Sequence, residues 1–328
     1  MNKLTILCLA CMLLLIAGCD GRIAPTPARS GSDVYATYDG PIKELGTNPH
    51  PLRKRRDRMG SRDLETGIYE LDDDGAPILM YRDRYPIYHP VFLAQYGLSG
   101  LEMYRTTDDE AYLELARRIA KKLQQIAYKQ DGKMWFPYTF NFNLHSYGDQ
   151  VMYAPWYSAM AQGQALSLFI ALHEIEADDE LLDASHRVFR TLLPETDLEA
   201  EPWCTCVSTE GLLWLEEYPS DPPAYTLNGM IFAIYGVYDY YQATGSEEAE
   251  SVLRGSIETI RRTIPRFRIE DDYSHYCLKH PQINTRDYHM VHIEQLEFLG
   301  HITDAPEFQA MADHFKEDGE HADEHHDD

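Results

Sequence analysis

Apolar residues recur at spacings of three and four through most of the chain after residue 90, which is the period of an amphipathic helix. The pattern predicts seven or eight helices in series. Strong turn signals follow many of them, such as Asp108-Asp109 and Gly245-Ser246, so neighbouring helices are predicted to run antiparallel. The helical stretches are VFLAQYGLSGLEMYRTT, EAYLELARRIAKKLQQIAY, WYSAMAQGQALSLFIALHEI, ELLDASHRVFRTLL, LNGMIFAIYGVYDYYQATG, AESVLRGSIETIRRTI and the residues after Tyr288.

A different period precedes the helices. Residues 67–81, GIYELDDDGAPILMY, alternate between apolar and polar on both sides of Asp74-Gly75, a pair that permits the positive φ angles of a tight turn. This stretch predicts a β-hairpin. The chain is therefore divided into a leader (1–18), a flexible tether (19–62), a β-hairpin segment (63–88), a helical domain (89–316) and an acidic tail (317–328).

Stretches rich in tyrosine and tryptophan separate several of the helices, as in KMWFPYTFNFNLHSYGDQVMYAP. We interpret them as strands and loops that line a cleft, because aromatic rings offer flat apolar faces to sugar rings. Helical hairpins around such a cleft predict a mainly α fold, an (α/α) toroid or incomplete barrel. The alternative is that these aromatic residues fill the core.

The N-terminus has the pattern of a secretory leader. Residues 1–18 carry one charge, Lys3, ahead of an apolar run that is too short to span a bilayer comfortably. The tetrapeptide IAGC that ends at Cys19 resembles the lipobox of bacterial lipoproteins, which implies a lipid on that cysteine. Asp20 resembles the signal that keeps Gram-negative lipoproteins at the inner membrane. We therefore expect a lipid-anchored protein on the periplasmic face, with no transmembrane helix in its mature form.

The charge excludes one class of partner. The chain has 54 acidic residues against 29 lysines and arginines, a net charge of −25, so nucleic acid is not expected to bind. The last twelve residues, EDGEHADEHHDD, are predicted to form a disordered tail whose histidines could hold stray divalent metal.

The cysteines predict neither a disulfide framework nor a metal site. After the leader and the lipid site are set aside, Cys204, Cys206 and Cys277 remain, an odd number that excludes full pairing within the chain. Zinc sites of cysteine and histidine usually contain a second ligand pair, which the sequence lacks. We predict no metal and no cofactor.

Three stretches together carry a family resemblance: WYSAMAQGQA at 156–165, WLEEYPSDPPAYTLNG at 214–229, and YCLKH followed by TRDYHMVHIEQL within 276–296. They resemble the C-terminal domain of the D-glucuronyl C5-epimerases, which convert glucuronate to iduronate within precursors of heparin and heparan sulfate. HPVFLAQYGLSGLEMY at 89–104 extends the similarity, which covers about residues 66–299. The resemblance implies a uronate-containing polysaccharide such as heparosan as the partner.

Such a reaction has definite chemical needs. The hydrogen on C5 lies next to the uronate carboxylate, and its removal places a second negative charge on that group. The site must hold donors or cations on the carboxylate, a base on one face of the ring, and an acid on the other face. Tyrosine, glutamate and lysine or arginine suffice without a metal.

The resemblance implies three catalytic residues. Tyr288 matches the tyrosine of the family's DYH motif, and Glu217 matches the opposing carboxylate, although the sequence leaves open whether Glu216 or Glu217 faces the site. Tyr276 corresponds to a second functional tyrosine, in a place where the family commonly has Tyr-Asp-Leu rather than Tyr-Cys-Leu. A tyrosine of ordinary pKa is a poor base, so we expect neighbouring cations or hydrogen bonds to lower its pKa.

The remaining expected site residues bind substrate. Lys279 or Arg286 is expected to hold the uronate. Together with Arg82 and Arg84, these residues are expected to focus positive potential locally against the repulsion between the acidic chain and a polyanionic substrate. Other substrate-facing residues are expected to be Tyr157, Gln162, Gln164, Tyr218 and Asn228, with His289 and His292 as supports. For Gln162 and Gln164 hydrogen bonding between packed helices is an equal alternative. A zinc site on His289 and His292 lacks a third ligand, and Asp287 is expected to cap the helix that follows.

Two other functions stay open at this stage. A proton delivered to the C4 oxygen instead of C5 would break the glycosidic bond, which is the reaction of a polysaccharide lyase. A lipid-anchored glycan-binding protein without turnover is the other alternative. The sequence also leaves a homodimer open.

Overall fold

The computed structural model describes residues 34–47, 70–82, 85–147, 151–195 and 201–326. The predicted leader, the lipid site at Cys19, most of the tether, and Arg84 lie outside these residues. None of the helices among the described residues has the length and apolar character needed to cross a membrane.

Eight α-helices occur in the described part of the chain, in agreement with the predicted series. They form four consecutive hairpins, because α1 packs on α2, α3 on α4, α5 on α6 and α7 on α8. The first members of the hairpins also contact one another in chain order, so the fold is the expected (α/α) toroid. The helices are α1 (Pro90–Thr107), α2 (Glu110–Ile126), α3 (Ala159–Glu176), α4 (Asp179–Phe189), α5 (Leu227–Thr244), α6 (Glu247–Thr263), α7 (Arg286–Ile302) and α8 (Pro306–His326).

Helices α3 and α5 form the centre of the toroid. Both are buried over most of their length, as expected of helices that are apolar around the whole circumference. Gly163 and Gly236 lie where the two backbones cross, and a β-carbon on Gly236 would overlap the carbonyl of Gly163. The absence of side chains at this crossing therefore permits the close packing that holds the inner helices together.

The predicted turn signals end and begin helices as expected. Asp108 ends α1 in a left-handed conformation, and the Asp109 side chain accepts a hydrogen bond from the Ala111 amide at 2.9 Å to start α2. Gly245 ends α5 at a φ of 63°. Ser246 then caps α6.

Short antiparallel strands lie before and between the helices. The predicted N-terminal hairpin is confirmed, with Gly75 at a φ of 78° in its turn and Glu70 paired with Ile78. A third strand extends it, and the three pairs that follow come from the aromatic stretches between the helices. The strands are β1 (Glu70–Leu71), β2 (Pro77–Tyr81), β3 (Tyr85–Ile87), β4 (Tyr128–Gln130), β5 (Lys133–Trp135), β6 (Phe142–Asn143), β7 (Val151–Met152), β8 (Thr205–Val207) and β9 (Leu213–Leu215).

The prediction of a disordered tail at 317–328 is wrong for the residues that the structure describes, because α8 continues to His326. Its acids have fixed partners in a distant segment: the Arg268 guanidinium donates to Asp318 at 2.7 and 3.0 Å, and Arg286 pairs with Asp323 at 2.8 Å. The helix also buries Phe315 and Ala322. Charge complementarity and apolar contact together outweigh the repulsion among the acidic residues.

Candidate active site

A cavity of about 240 Å³ opens beside the first turns of α1, α3, α5 and α7. Its wall is mainly aromatic, with a small number of polar groups. The lining residues are His89, Val91, Tyr138, Phe140, Phe142, Trp156, Ser158, Met160, Glu217, Tyr218, Asn228 and Tyr288. Glu217 and Tyr288, the two opposing groups expected from the sequence, therefore share one compartment.

Glu217 is held between a tyrosine and a helix end. It lies in the loop after β9 with 8% of its surface exposed, and the Tyr276 hydroxyl donates a hydrogen bond to its Oε2 at 3.3 Å. On its other side it rests on the first turn of α5, where a β-carbon on Gly229 would overlap the carboxylate. The glycine thus lets the acid approach a helix N-terminus, which favours negative charge.

Glu216 faces away from the cavity, which resolves the choice that the sequence left open. Its Oε2 accepts a hydrogen bond from the Tyr225 amide at 3.3 Å, and its Oε1 lies 4.0 Å from the Cys206 sulfur. Burial raises the pKa of Glu216 to about 8, and the nearby charge of Glu217 adds to the effect. Glu216 is thus a buried, largely protonated acid near neutral pH.

Three tyrosines surround Glu217. The Tyr218 and Tyr276 hydroxyls lie 3.2 Å apart, and the ring of Tyr276 meets that of Tyr288 edge to face with centroids 4.5 Å apart. Burial, followed by the charge of Glu217, raises the pKa of Tyr276 well above its usual value, and the same two causes raise the pKa of Tyr218. Both hydroxyls are therefore protonated donors, and neither of these two tyrosines has the lowered pKa that a base would need.

Tyr288 projects from the first turn of α7 and is 36% exposed at the cavity wall. The helix begins two residues earlier than expected: Thr285 is the N-cap, and its Oγ1 accepts from the Tyr288 amide at 3.5 Å. Asp287, the expected cap, lies in the first helical turn instead. The short threonine hydroxyl precedes the turn and so can reach its orphan amides.

His289 and His292 support the structure and do not line the cavity. His289 is fully buried; its Nδ1 accepts from the Ser274 amide at 2.9 Å, and its Nε2 donates to the Phe315 carbonyl of α8 at 2.6 Å. His292 shares a hydrogen bond of 2.8 Å with the Ser274 hydroxyl. Burial lowers the pKa of His289, and burial together with His289 lowers that of His292 to about 3. Both rings are neutral and fasten α7 to its neighbours.

The expected cationic clamp is absent from the described wall of the cavity, which includes no lysine or arginine. Arg286 instead pairs with Asp323 at the surface, where the two side chains are 60% and 41% exposed. The Lys279 amide donates to the Ala224 carbonyl at 3.3 Å, and its side chain does not line the cavity. Asp323 of α8 thus holds Arg286 at the surface. This ion pair joins residues that are far apart in sequence, so local sequence pattern does not predict it.

The predicted glycan-facing residues divide into two groups. Asn228 and Tyr218 line the cavity, and Asn228 Oδ1 is buried without a hydrogen-bond partner among the described residues. Gln162 is fully buried, and its side chain bonds to Phe136 N, Met134 O and Thr191 Oγ1 at 2.8–2.9 Å, so it serves packing.

Two other predicted positions lie away from the cavity. Gln164 is 2% exposed on α3, and neither atom of its side-chain amide has a hydrogen-bond partner among the described residues, so the alternative of hydrogen bonding between helices is not observed for it either. Tyr157 lines a neighbouring groove, which shares Trp156 with the cavity.

His89 is a wall residue that was not among the predicted site residues. Its Nδ1 accepts from the Phe92 amide at 3.3 Å, which caps α1 and leaves the proton on Nε2. Burial lowers the pKa of His89 to about 4, so the ring is neutral. The sequence feature that indicates His89 is its position directly before Pro90 at the start of a predicted helix. Beside it, Tyr138 and Trp156 stack with centroids 3.9 Å apart and form a flat apolar wall.

Comparison with known proteins identifies the family. The model of the D-glucuronyl C5-epimerase C-terminus matches residues 130–317, which contain Glu217, Tyr276 and Tyr288. The chain belongs to this family. It is 24% identical over 168 residues to a D-glucuronyl C5-epimerase of Caenorhabditis elegans, a match that covers 45% of this chain and 26% of that protein.

A second relative is an uncharacterised protein of Methanocaldococcus jannaschii. It is 22% identical over 162 residues, with 49% of this chain and 50% of that protein covered. The chain therefore spans about half or less of the curated relatives that it matches.

Solved structures show the same fold at low sequence identity. A cellobiose 2-epimerase from Bacillus thermoamylovorans aligns with a TM-score of 0.51 and 12% identity, covering 81% of this chain and 71% of that one. A GH76 alpha-mannanase from Bacteroides thetaiotaomicron aligns with a TM-score of 0.50 and 13% identity, covering 80% and 68%. At this identity the similarity concerns the toroid alone.

Proposed function

We propose that the chain inverts C5 of D-glucuronate residues to L-iduronate within a heparosan-like polysaccharide. The observation that carries the proposal is that Glu217 and Tyr288 line one cavity, with Tyr276 in contact with both. A carboxylate and a phenol are the two proton-transfer groups that the reaction needs, and family membership supports the same assignment.

In the proposed reaction Glu217 removes the C5 proton from glucuronate, and the Tyr288 hydroxyl returns a proton to C5 from the opposite face. Inversion leaves Glu217 protonated and Tyr288 deprotonated. Tyr276 donates a hydrogen bond to Glu217 and so orients the base, while loss of the Glu217 proton to water and uptake of a proton from water by the partly exposed Tyr288 reset the site. The raised pKa of Tyr276 supports a donor role rather than that of a base.

In this proposal, neutral hydrogen-bond donors stabilise the negative charge of the uronate carboxylate. Asn228 and the Nε2–H of His89 belong to the cavity wall, and the N-terminus of α5 adds a positive partial charge. Hydrogen bonds to a charged acceptor in a buried site are stronger than those between neutral groups. This arrangement supports stabilisation of the enediolate without a lysine or arginine in contact with it.

A longer substrate than a single sugar is supported by the surface around the cavity. Trp156 separates the cavity from a groove of about 260 Å³ that includes Tyr153, Tyr157 and Trp203. Aromatic faces of this kind suit the apolar sides of neighbouring sugar rings. For the location we propose lipid attachment at Cys19 and action on glycan in the periplasm, as the leader pattern suggests.

The experiment is incubation of the full chain with heparosan in heavy water, followed by NMR and by absorbance of unsaturated chain ends. Deuterium at C5 together with iduronate signals is the expected result. Unsaturated ends would establish a lyase instead, and measurable glycan binding with neither product would establish a binding protein. Either of these outcomes overturns the proposal.

Two variants test the residue roles. Glu217→Gln and Tyr288→Phe should each slow inversion by about 10² to 10⁴-fold. Tyr288→Phe keeps the base, so it should still exchange deuterium into glucuronate without forming iduronate. The controls are Glu216→Gln, whose carboxyl faces away, and Tyr241→Phe, which lies at the far end of α5, about 20 Å from Asn228. Both controls should invert C5 at nearly the normal rate.

A further inference from the structure

A second group of chemically active side chains lies behind Tyr276. His145, Cys277 and His280 each offer one potential metal-ligand atom, and these three atoms lie within 4.8 Å of one another. The Cys277 sulfur is 3.6 Å from His145 Nε2 and 3.7 Å from His280 Nδ1. No other group of three histidine, cysteine or acidic residues with this geometry occurs among the described residues.

The two sulfur–nitrogen distances fit tetrahedral zinc. With a Zn–S bond of about 2.3 Å and a Zn–N bond of about 2.05 Å, a tetrahedral angle separates the two ligand atoms by about 3.6 Å. A thiolate with two imidazoles is a donor set that suits zinc and similar borderline metals, while magnesium and calcium prefer oxygen. The two sulfur–nitrogen distances therefore already match a bound ion, and the two imidazole nitrogens, which lie within 4.8 Å of each other, would approach to about 3.3 Å around it.

The surroundings of the three residues hold them in place. His145 has a φ of 53°, a left-handed conformation that a non-glycine residue keeps only when its contacts fix it. Tyr147 stacks on the His280 ring with centroids 4.9 Å apart. Cys277 and His280 are buried and His145 is half-buried, so the group lies near the surface on the His145 side, and a water molecule would complete four ligands.

We propose that His145 Nε2, Cys277 Sγ and His280 Nδ1 bind one zinc ion. The thiol proton is released as the metal–sulfur bond forms, and both imidazoles bind in their neutral form. The site joins the turn at 144–147 to the segment at 276–280, two parts of the chain that are distant in sequence.

The ion would also position Tyr276. This residue directly precedes Cys277, and its ring meets the His145 ring edge to face with centroids 5.1 Å apart. A metal that fixes both neighbours fixes the hydroxyl that donates to Glu217. This consequence, unlike metal binding itself, rests on the proposed epimerase function.

Metal content tests the site without reference to turnover. The full chain, purified without a polyhistidine tag or chelator, should contain about one zinc per chain by elemental analysis. Replacement of zinc by cobalt should produce a sulfur-to-cobalt charge-transfer band in the near ultraviolet. A chain that neither contains zinc nor gives the band with cobalt overturns the proposal, even if it epimerises glycan.

Variants identify the ligands. Cys277→Ser and His145→Gln should lower zinc retention against a competing chelator by at least about tenfold. Cys204→Ser, at a buried thiol outside the group, and a His321→Ala/His325→Ala variant of α8 should retain zinc and the cobalt band. Loss of zinc from the α8 variant alone would show adventitious binding and overturn the site.

Two further measurements keep the outcomes separate. Circular dichroism checks that each variant folds, and the cobalt band of the wild-type chain decides the matter if Cys277→Ser does not fold. Removal of zinc should reduce C5 exchange without unfolding the chain. Unchanged exchange after complete zinc removal would overturn the positioning of Tyr276 by the metal.

Discussion

Gly229 lies so close to Glu217 that any β-carbon at position 229 would overlap the carboxylate. We therefore expect Gly229→Ala to displace Glu217 from the cavity. The variant should lose most C5 exchange and be destabilised by about 1 to 3 kcal/mol through overpacking. Denaturant unfolding and exchange in heavy water measure the two effects separately.

Gly300→Ala is the matched control, because it is also a helical glycine but a β-carbon there meets no atom closer than 3.8 Å. It should stabilise the chain by about 0.5 to 1 kcal/mol through helix propensity and leave exchange unchanged. If Gly229→Ala behaves like Gly300→Ala, Glu217 does not depend on the close approach.

The buried acid Glu216 should make stability fall with rising pH. Its folded pKa of about 8 lies above the unfolded value near 4.5, so between these values the folded state holds a proton that the unfolded state has lost. The contribution of Glu216 to the free energy of unfolding is fully present below about pH 4.5. It declines by up to about 1.4 kcal/mol per pH unit until about pH 8.

Glu216→Gln removes this titration. The difference in unfolding free energy between the wild type and the variant should therefore change with pH across that window, in favour of the variant at high pH. Urea unfolding at several pH values measures it. Parallel stability curves for the two proteins would mean that Glu216 is ionised in the fold.

His89 has two separable roles, a cap on α1 and a donor in the cavity. Asparagine is also a good N-cap, so His89→Asn should keep stability while raising KM about tenfold through one lost hydrogen bond. His89→Ala should lose about 0.5 to 2 kcal/mol of stability as well.

Kinetics and thermal unfolding of the two His89 variants separate these roles. Because the pKa of His89 is about 4, neither variant should remove a kinetic titration between pH 5 and 8. A KM unchanged in His89→Asn would exclude substrate contact.

The packing of α8 against the rest of the helical domain should depend on Asp318. Burial alone would raise its pKa, but hydrogen bonds from Arg268 and from the Asp271 amide outweigh burial and lower the pKa. Its stabilisation is thus present above the unfolded pKa near 3.8 and lost as pH falls through the lower folded value. Asp318→Asn should cost about 2 kcal/mol at neutral pH.

Asp313→Asn on the same helix is the control. Asp313 is largely exposed, and its change should stay within about 0.5 kcal/mol. Hydrogen exchange of the α8 amides reports where the loss occurs. Equal protection in both variants would show that the Arg268 pair does not hold the helix.

Local pattern predicted the helices because each one repeats its apolar face over several turns, and caps such as Asp109 act within a few residues. Local pattern does not predict which of Glu216 and Glu217 faces the cavity. Strand β9 is buried on both faces, so alternation along it does not indicate which neighbouring acid turns toward the cavity.

Features that depend on distant parts of the chain were not predictable in the same way. The acidic residues of α8 are predicted to form a solvated tail because their partners, Arg268 and Arg286, lie about 37 to 50 residues earlier in the chain. The group of His145, Cys277 and His280 has no motif spacing, since His145 lies 132 residues before the cysteine. Tertiary structure alone brings these groups together.

The bond from His289 to the Phe315 carbonyl makes α8 part of the scaffold on which Tyr288 stands. His89 comes from the start of α1 and Tyr288 from the start of α7, so the cavity draws together the first and the last hairpin of the helical domain. During synthesis on the ribosome, we therefore expect the wall that carries Tyr288 to gain its full support only once α8 has emerged.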